Sequence, residues 1–217
     1  MTRIHHTILS VLGIICLAGM TGCDGKGKSG DSGFMYKDLP VASGSATAGK
    51  GHTVTFKGKP LALIGHGVKV GDKLRAVNVT KGDLSLVNIL STKGKVRVLN
   101  IVPSLDTAVC EQQTHHLSEK NNGLDKTIEL ITISVDTPFA QGRFAKEAKI
   151  DNVTFLSDYR GGEFGKTYGL LVKDLHLLAR TVMVVDKNNV IRYMQVTPEL
   201  AQMPDMDAAF KAAKELL

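Results

Sequence analysis

The 217-residue chain has no tryptophan, 5% aromatic residues and three cysteines, none of which forms a C-x-x-C or C-x-x-x-C pair. A dithiol reductase site and a paired-thiol copper site are therefore excluded. Also missing is any run of five or six basic residues. The formal net charge is +6, but the lysines are spread along the chain among acids. That pattern describes a solvated basic surface and gives no footprint for nucleic acid. Metal-ligand spacing is absent as well. His115 and His116 are adjacent and would diverge by about 100° on a helix, while His52, His66 and His176 are isolated. No metal and no cofactor is expected.

Long hydrophobic runs are scarce too. The one that stands out is TILSVLGIICLAGM, residues 7 to 20, behind the short basic and polar start MTRIHH. It is too short to span a bilayer stably and has the layout of a secretory signal. It ends in MTGC, which resembles the bacterial lipobox, with Met20 in place of the more usual leucine. Residues 1–22 are thus expected to be a lipoprotein-type signal peptide, with Cys23 the lipidation site. Residues 23–50, beginning CDGKGKSGDSG, read as a flexible tether too poor in apolar residues to build a core. Residues 51–217 remain for one domain. The expected location is the cell envelope, anchored by lipid to a membrane on its periplasmic side. Asp24, after Cys23, resembles a signal that retains lipoproteins at the inner membrane. Cys16 leaves with the signal and Cys23 carries lipid, so Cys110 would be the one free thiol.

The domain itself alternates strands and helices. HTVTFKGKPLALIG has two β-rich runs around Lys57-Gly58-Lys59-Pro60, an N-terminal hairpin. Two short apolar runs flank Lys81-Gly82-Asp83. VRVLNIV at 96–102 and TIELITISV at 127–135 are nearly continuous in apolar, β-branched residues, as expected of strands buried on both faces. Segment 108–121 follows the first with thin apolar periodicity, and Asp136-Thr137-Pro138 opens a helix over 139–148. VTFLSD is a short strand and GEFGKTYGLL a short helix. RTVMVVDKNNVIRYMQV, 180–196, is a hairpin, and DMDAAFKAAKELL a closing amphipathic helix. The order implies an α/β fold around a mixed sheet.

Cys110 sits where the strand at 96–102 gives way to a helix. A thiol attacks as the thiolate, and unpaired N–H groups at a helix start favour an anion. Thr107 occupies a cap position from which its hydroxyl can bond either the helix or a substrate oxygen. Pro103 stiffens the loop and offers no N–H. Glu111 would oppose a thiolate if its carboxylate turned inward; solvent is its expected direction.

Pro103, Thr107 and Cys110 spell P-x-x-x-T-x-x-C. With SVDTPFAQGRF and LSDYR at matching positions, the chain from His52 to Ile191 resembles the peroxiredoxins, and within them the bacterial thiol peroxidase branch. The resemblance implies a thioredoxin-like fold. It also implies that Cys110 attacks a hydroperoxide and becomes a sulfenic acid, that Thr107 orients the peroxide and that Pro103 shields the thiolate. Arg160, in LSDYR, is expected to pair with the thiolate and the peroxide oxygens. By residue type alone, Arg160 reads as a surface ion pair, for instance with Asp158. In this branch a resolving cysteine follows FAQ-x-RF, but here the matching position is Ala145. A one-cysteine cycle is expected, with an external thiol or thioredoxin-like protein as reductant and overoxidation as its hazard. The branch also implies a possible homodimer. Two other readings use the same residues: a membrane-tethered redox sensor or binding module oxidised once at Cys110, and an envelope lipoprotein with a retired site.

Overall fold

The computed structural model describes residues 33–92 and 94–217. The expected signal peptide, Cys23 and the first part of the tether lie outside the described residues. Among the described residues, no helix is long and apolar enough to cross a membrane.

Two sheets form. The smaller one begins with the expected hairpin, β1 (Thr53–Phe56) and β2 (Lys59–Ile64), joined by Lys57 and Gly58. Both turn residues have positive φ (51° and 76°), the primed-turn geometry that matches strand twist. Two short strands, β8 (Leu171–Val172) and β9 (Leu177–Leu178), complete this sheet, which the sequence pattern does not foretell. Runs of two residues are too short to carry a periodicity.

The larger sheet has seven strands in the order β11-β10-β5-β6-β7-β3-β4. Its centre is β5 (Arg97–Ile101), parallel to β6 (Glu129–Ser134), which is parallel to β7 (Thr154–Ser157). The crossovers are α1 (Ala108–Glu119) and α2 (Pro138–Glu147). The hairpin β10 (Thr181–Val185) and β11 (Ile191–Val196) adds antiparallel strands beside β5. At the far edge stand β3 (Asn78–Thr80) and β4 (Leu86–Asn88). Two further helices, α3 (Glu163–Tyr168) and α4 (Met206–Lys214), complete the fold.

Strand alternation divides the core between the faces. Val98, Leu130, Val182 and Val184 pack with Leu117 of α1 and with Met206, Ala209 and Phe210 of α4. Leu99, Ile101, Ile131, Ile133 and Met183 face the other way, toward Phe164 and Tyr168 of α3 and the smaller sheet. The mixed sheet flanked by helices is the thioredoxin-like architecture expected.

The domain boundary lies elsewhere than expected. Within the span read as a tether, residues 34–50 are bonded to the domain. Tyr36 donates its hydroxyl to Glu119, and Lys37 and Gln112 exchange two hydrogen bonds of 2.8 and 2.9 Å. Ala42 and Ala46 donate backbone N–H groups to Met203 and Val196, both at 2.8 Å. This strap is held mainly through its backbone and by small side chains. Main-chain pairing leaves no hydrophobic period in the sequence.

The strap ends at a close three-glycine contact. Gly169, which closes α3 at φ +67°, accepts from Gly49 N–H at 2.8 Å. A Cβ on Gly169 would stand 2.4 Å from Gly67 N and 2.5 Å from Gly49 N. Both the left-handed backbone and the contact demand glycine. Gly169→Ala should lower the unfolding free energy in urea by at least about 2 kcal/mol.

Asp158 caps α3 from a distance: its carboxylate accepts from Phe164 N–H at 2.8 Å and Gly165 N–H at 2.9 Å. Burial raises its pKa above the ordinary carboxylate value, and the neighbouring Glu163 charge adds to the rise, against the lowering effect of the two amides. A raised folded pKa favours folding while the group is protonated, and that advantage fades as pH climbs through the raised value. In urea titrations from pH 3 upward, the stability of wild type minus that of Asp158→Asn should therefore fall with rising pH. A flat difference would contradict it.

Candidate active site

The loop 102–107 links the buried end of β5 to α1. Val102 N–H is held by Ile133 O at 3.0 Å, Pro103 is buried, and Thr107 occupies the N-cap of α1 with extended backbone. Cys110 is the third residue of the helix, so its N–H belongs to the first turn, which has no partner within the helix. The side chain is 1% exposed. It packs with Val102 and Leu105, and Phe144 of α2 and Phe155 of β7 close the cluster. Among the described residues it is the one free cysteine.

An arginine enters this apolar shell, and it is Arg180. Its Nη2 donates to Cys110 Sγ at 3.3 Å, its Nη1 to Gln113 Oε1 at 2.6 Å and its Nε to Leu200 O at 2.9 Å. Arg180 is 2% exposed, and among the described residues no carboxylate forms an ion pair with it. Of its three acceptors, only the sulfur can carry a negative charge. A buried guanidinium without a counter-charge is costly, so the arrangement suits an anionic sulfur. The network continues inward. Gln113 Nε2 donates to Asn100 Oδ1 at 2.6 Å, and Asn100 Nδ2 donates to the hydroxyls of Thr132 and Thr114. Thr114 returns its own proton to the carbonyl of Cys110 at 2.8 Å.

Arg160 is placed elsewhere, which corrects the pairing expected for it. It is exposed on the turn after β7, where its Nε donates to the Tyr159 hydroxyl at 3.0 Å and its guanidinium lies over the Tyr159 ring. The alternative partner fails as well, because Asp158 spends its carboxylate on backbone amides of α3. A signal for Arg180 was present in ARTVMVVD, where an arginine heads a wholly buried strand. Since Thr181 pairs with Ile101 in the sheet, Arg180 arrives level with the end of β5, beside the loop that bears Pro103.

Thr107 keeps its cap position but makes no side-chain cap bond. Its hydroxyl donates to Ser104 O at 3.1 Å, so its oxygen remains able to accept from a substrate O–H. Glu111 is half-buried and lines a 320 Å³ cleft with Phe34, His115, Phe144 and Lys149. The two adjacent histidines diverge as expected. His115 pairs with Glu119 at 2.6 Å and stacks on Phe34, whereas His116 approaches Asp207 and Phe210. A second cleft of 60 Å³ lies between Leu105 and α2, against Phe144. Ala145, where the resemblance would put a resolving cysteine, is half-buried on α2 next to Phe144.

Arg180→Met should slow the reaction of Cys110 with hydrogen peroxide by at least about 100-fold, the scale of losing a charged donor in a dry site. Arg160→Ala should change it by less than about threefold, the scale of an exposed charge. Stopped-flow rate constants for the two variants decide between the arginines.

Known proteins match this arrangement over most of its length. The redoxin family profile matches residues 69–210. A thiol peroxidase of Halalkalibacterium halodurans is 44% identical over 165 residues, covering 76% of this chain and 99% of that relative. A thiol peroxidase of Streptococcus pneumoniae is 42% identical over 163 residues, covering 75% and 99%. Among solved structures, a peroxiredoxin-like protein from Aquifex aeolicus superposes with a TM-score of 0.72 at 36% identity, over 80% of this chain and 100% of that one. Fold, cysteine loop and relatives agree: the chain belongs to the redoxin family, as a peroxiredoxin of the thiol peroxidase branch.

Proposed function

We propose that this chain is a thiol-dependent peroxidase that reduces hydrogen peroxide or organic hydroperoxides through Cys110 alone, tethered to a membrane by lipid on Cys23. The observation that carries the peroxidase reading is the buried Cys110 Sγ, 3.3 Å from a guanidinium nitrogen of Arg180, which among the described residues pairs with no carboxylate.

The chemistry follows from the geometry. The sulfur of Cys110 attacks the terminal oxygen of ROOH, a new S–O bond forms and the O–O bond breaks. Negative charge moves from sulfur to the departing oxygen. Arg180 can follow it, since one guanidinium spans both atoms without reorganising. The departing RO⁻ takes up a proton and leaves as ROH or water. Thr107, its own proton committed to Ser104 O, accepts from the hydroperoxide O–H and thereby selects which oxygen faces the sulfur. Phe144, Phe155, Val102 and Leu105 keep the site dry, which strengthens each of these interactions.

Ala145 supports the single-cysteine cycle, since the position that would resolve the sulfenic acid has no sulfur. An external thiol R′SH attacks Cys110–SOH, releasing water and leaving a mixed disulfide. A second R′SH restores Cys110 and departs as R′SSR′. The lipid anchor is supported by MTGC behind the apolar run at residues 7 to 20.

With excess thiol reductant, the chain should turn over many equivalents of peroxide, and Cys110→Ser should turn over none. Consumption of one equivalent and no more would instead mark a sensor. In cells fed a labelled fatty acid, wild type should carry the label and Cys23→Ala should not; an unlabelled wild type removes the anchor from the account.

A further inference from the structure

The proposed mechanism asks Thr107 to hold one direction, yet Thr107 is exposed and belongs to an irregular loop. What fixes that loop is Asp136, two residues beyond the end of β6. Its Oδ1 accepts from the Ser104 hydroxyl at 2.7 Å and its Oδ2 from Leu105 N–H at 2.8 Å. Ser104 supplies, through its carbonyl, the acceptor to which Thr107 gives its proton. Ser104 Oγ also accepts from Asp106 N–H at 3.4 Å, so the hydroxyl joins the carboxylate to a second peptide of the loop.

Asp136 is itself anchored. The Ser157 hydroxyl donates to its carbonyl, and Asp158 N–H donates to Ser134 O at 2.8 Å, tying the end of β6 to that of β7. Arg143 lines the same 60 Å³ cleft, but among the described residues Asp136 forms no salt bridge. Both carboxylate oxygens are committed to the loop. Charge-assisted bonds of this kind are roughly twice as strong as neutral ones and directional, which suits a clamp better than a turn held by neutral groups.

We infer that Asp136 is a positioning residue for the peroxide, acting through Ser104 to aim the Thr107 hydroxyl. It touches neither Cys110 nor Arg180, so it governs substrate orientation and leaves the sulfur's own reactivity alone. This inference rests on the peroxidase reading. A merely structural carboxylate would affect every reaction of Cys110 alike, whereas an orienting one affects only reagents that Thr107 must hold.

The test compares two reagents on the full mature chain. Rate constants for hydrogen peroxide and for iodoacetamide are measured at Cys110 in wild type, Asp136→Ala, Thr107→Val and the double variant. Asp136→Ala should slow the peroxide reaction by about 30-fold or more, within the range that small misplacements cost, and change alkylation less than about threefold. The double variant should be no slower with peroxide than Thr107→Val within about threefold, because both changes remove one function. Ser104→Ala, which deletes a single hydroxyl, should reproduce the selective loss and replaces Asp136→Ala if that variant fails to fold. Equal slowing of both reagents, no slowing, or losses that multiply in the double variant would overturn the inference. A wild type inert to peroxide but alkylated normally would instead overturn the peroxidase reading.

Discussion

A buried guanidinium that, among the described residues, has no carboxylate beside it is the constraint around which the site is arranged. Arg180 donates to a backbone carbonyl, an amide oxygen and a sulfur. The sulfur it reaches is packed among the apolar side chains of Val102, Leu105, Phe144 and Phe155. Desolvating a cation is unfavourable unless its environment returns the energy; here the oxygens of Leu200 and Gln113 return part of it, and the sulfur is the one acceptor of the three that can also carry charge.

The sheet makes this placement repeatable. Pairing of Thr181 with Ile101 brings Arg180 to the end of β5, and the same strand end delivers Pro103 and the start of α1. Parallel β6 ends beside them, and its exit residue Asp136 clamps Ser104 and Leu105. Three neighbouring strand ends thus each contribute one functional element: the nucleophile's loop, its cation and the clamp on that loop. Ligand and catalytic sites collect at such strand ends because loops of different elements converge there on a rigid base.

How much of this was legible in the sequence varied with the kind of signal. Continuous β-branched runs identified β5, β6 and the β10–β11 hairpin because burial on both faces writes itself in composition. Helix α1 carries a weak signal for a physical reason: Gln112, Gln113, Thr114 and His115, four consecutive residues that spread around most of the helix, are all buried. Polar residues that serve a network erase the apolar period by which helices are recognised. The motif at Pro103, Thr107 and Cys110 was legible because the three share one loop. The arginine was not, since its partner lies 70 positions away and the link between them is strand register. Strap residues 34–50 give no signal for a similar reason, being held largely by main-chain bonds that leave no mark in side-chain pattern.

The central claim is that one sulfur, that of Cys110, reduces the peroxide and that nothing in the chain resolves the sulfenic acid it becomes. Mass spectrometry of the purified protein, treated with one equivalent of hydrogen peroxide in the presence of dimedone, tests it directly. The account predicts a single dimedone adduct per chain, located on Cys110. A disulfide between Cys110 and Cys23, or peroxide left unconsumed with Cys110 still a thiol, would contradict it.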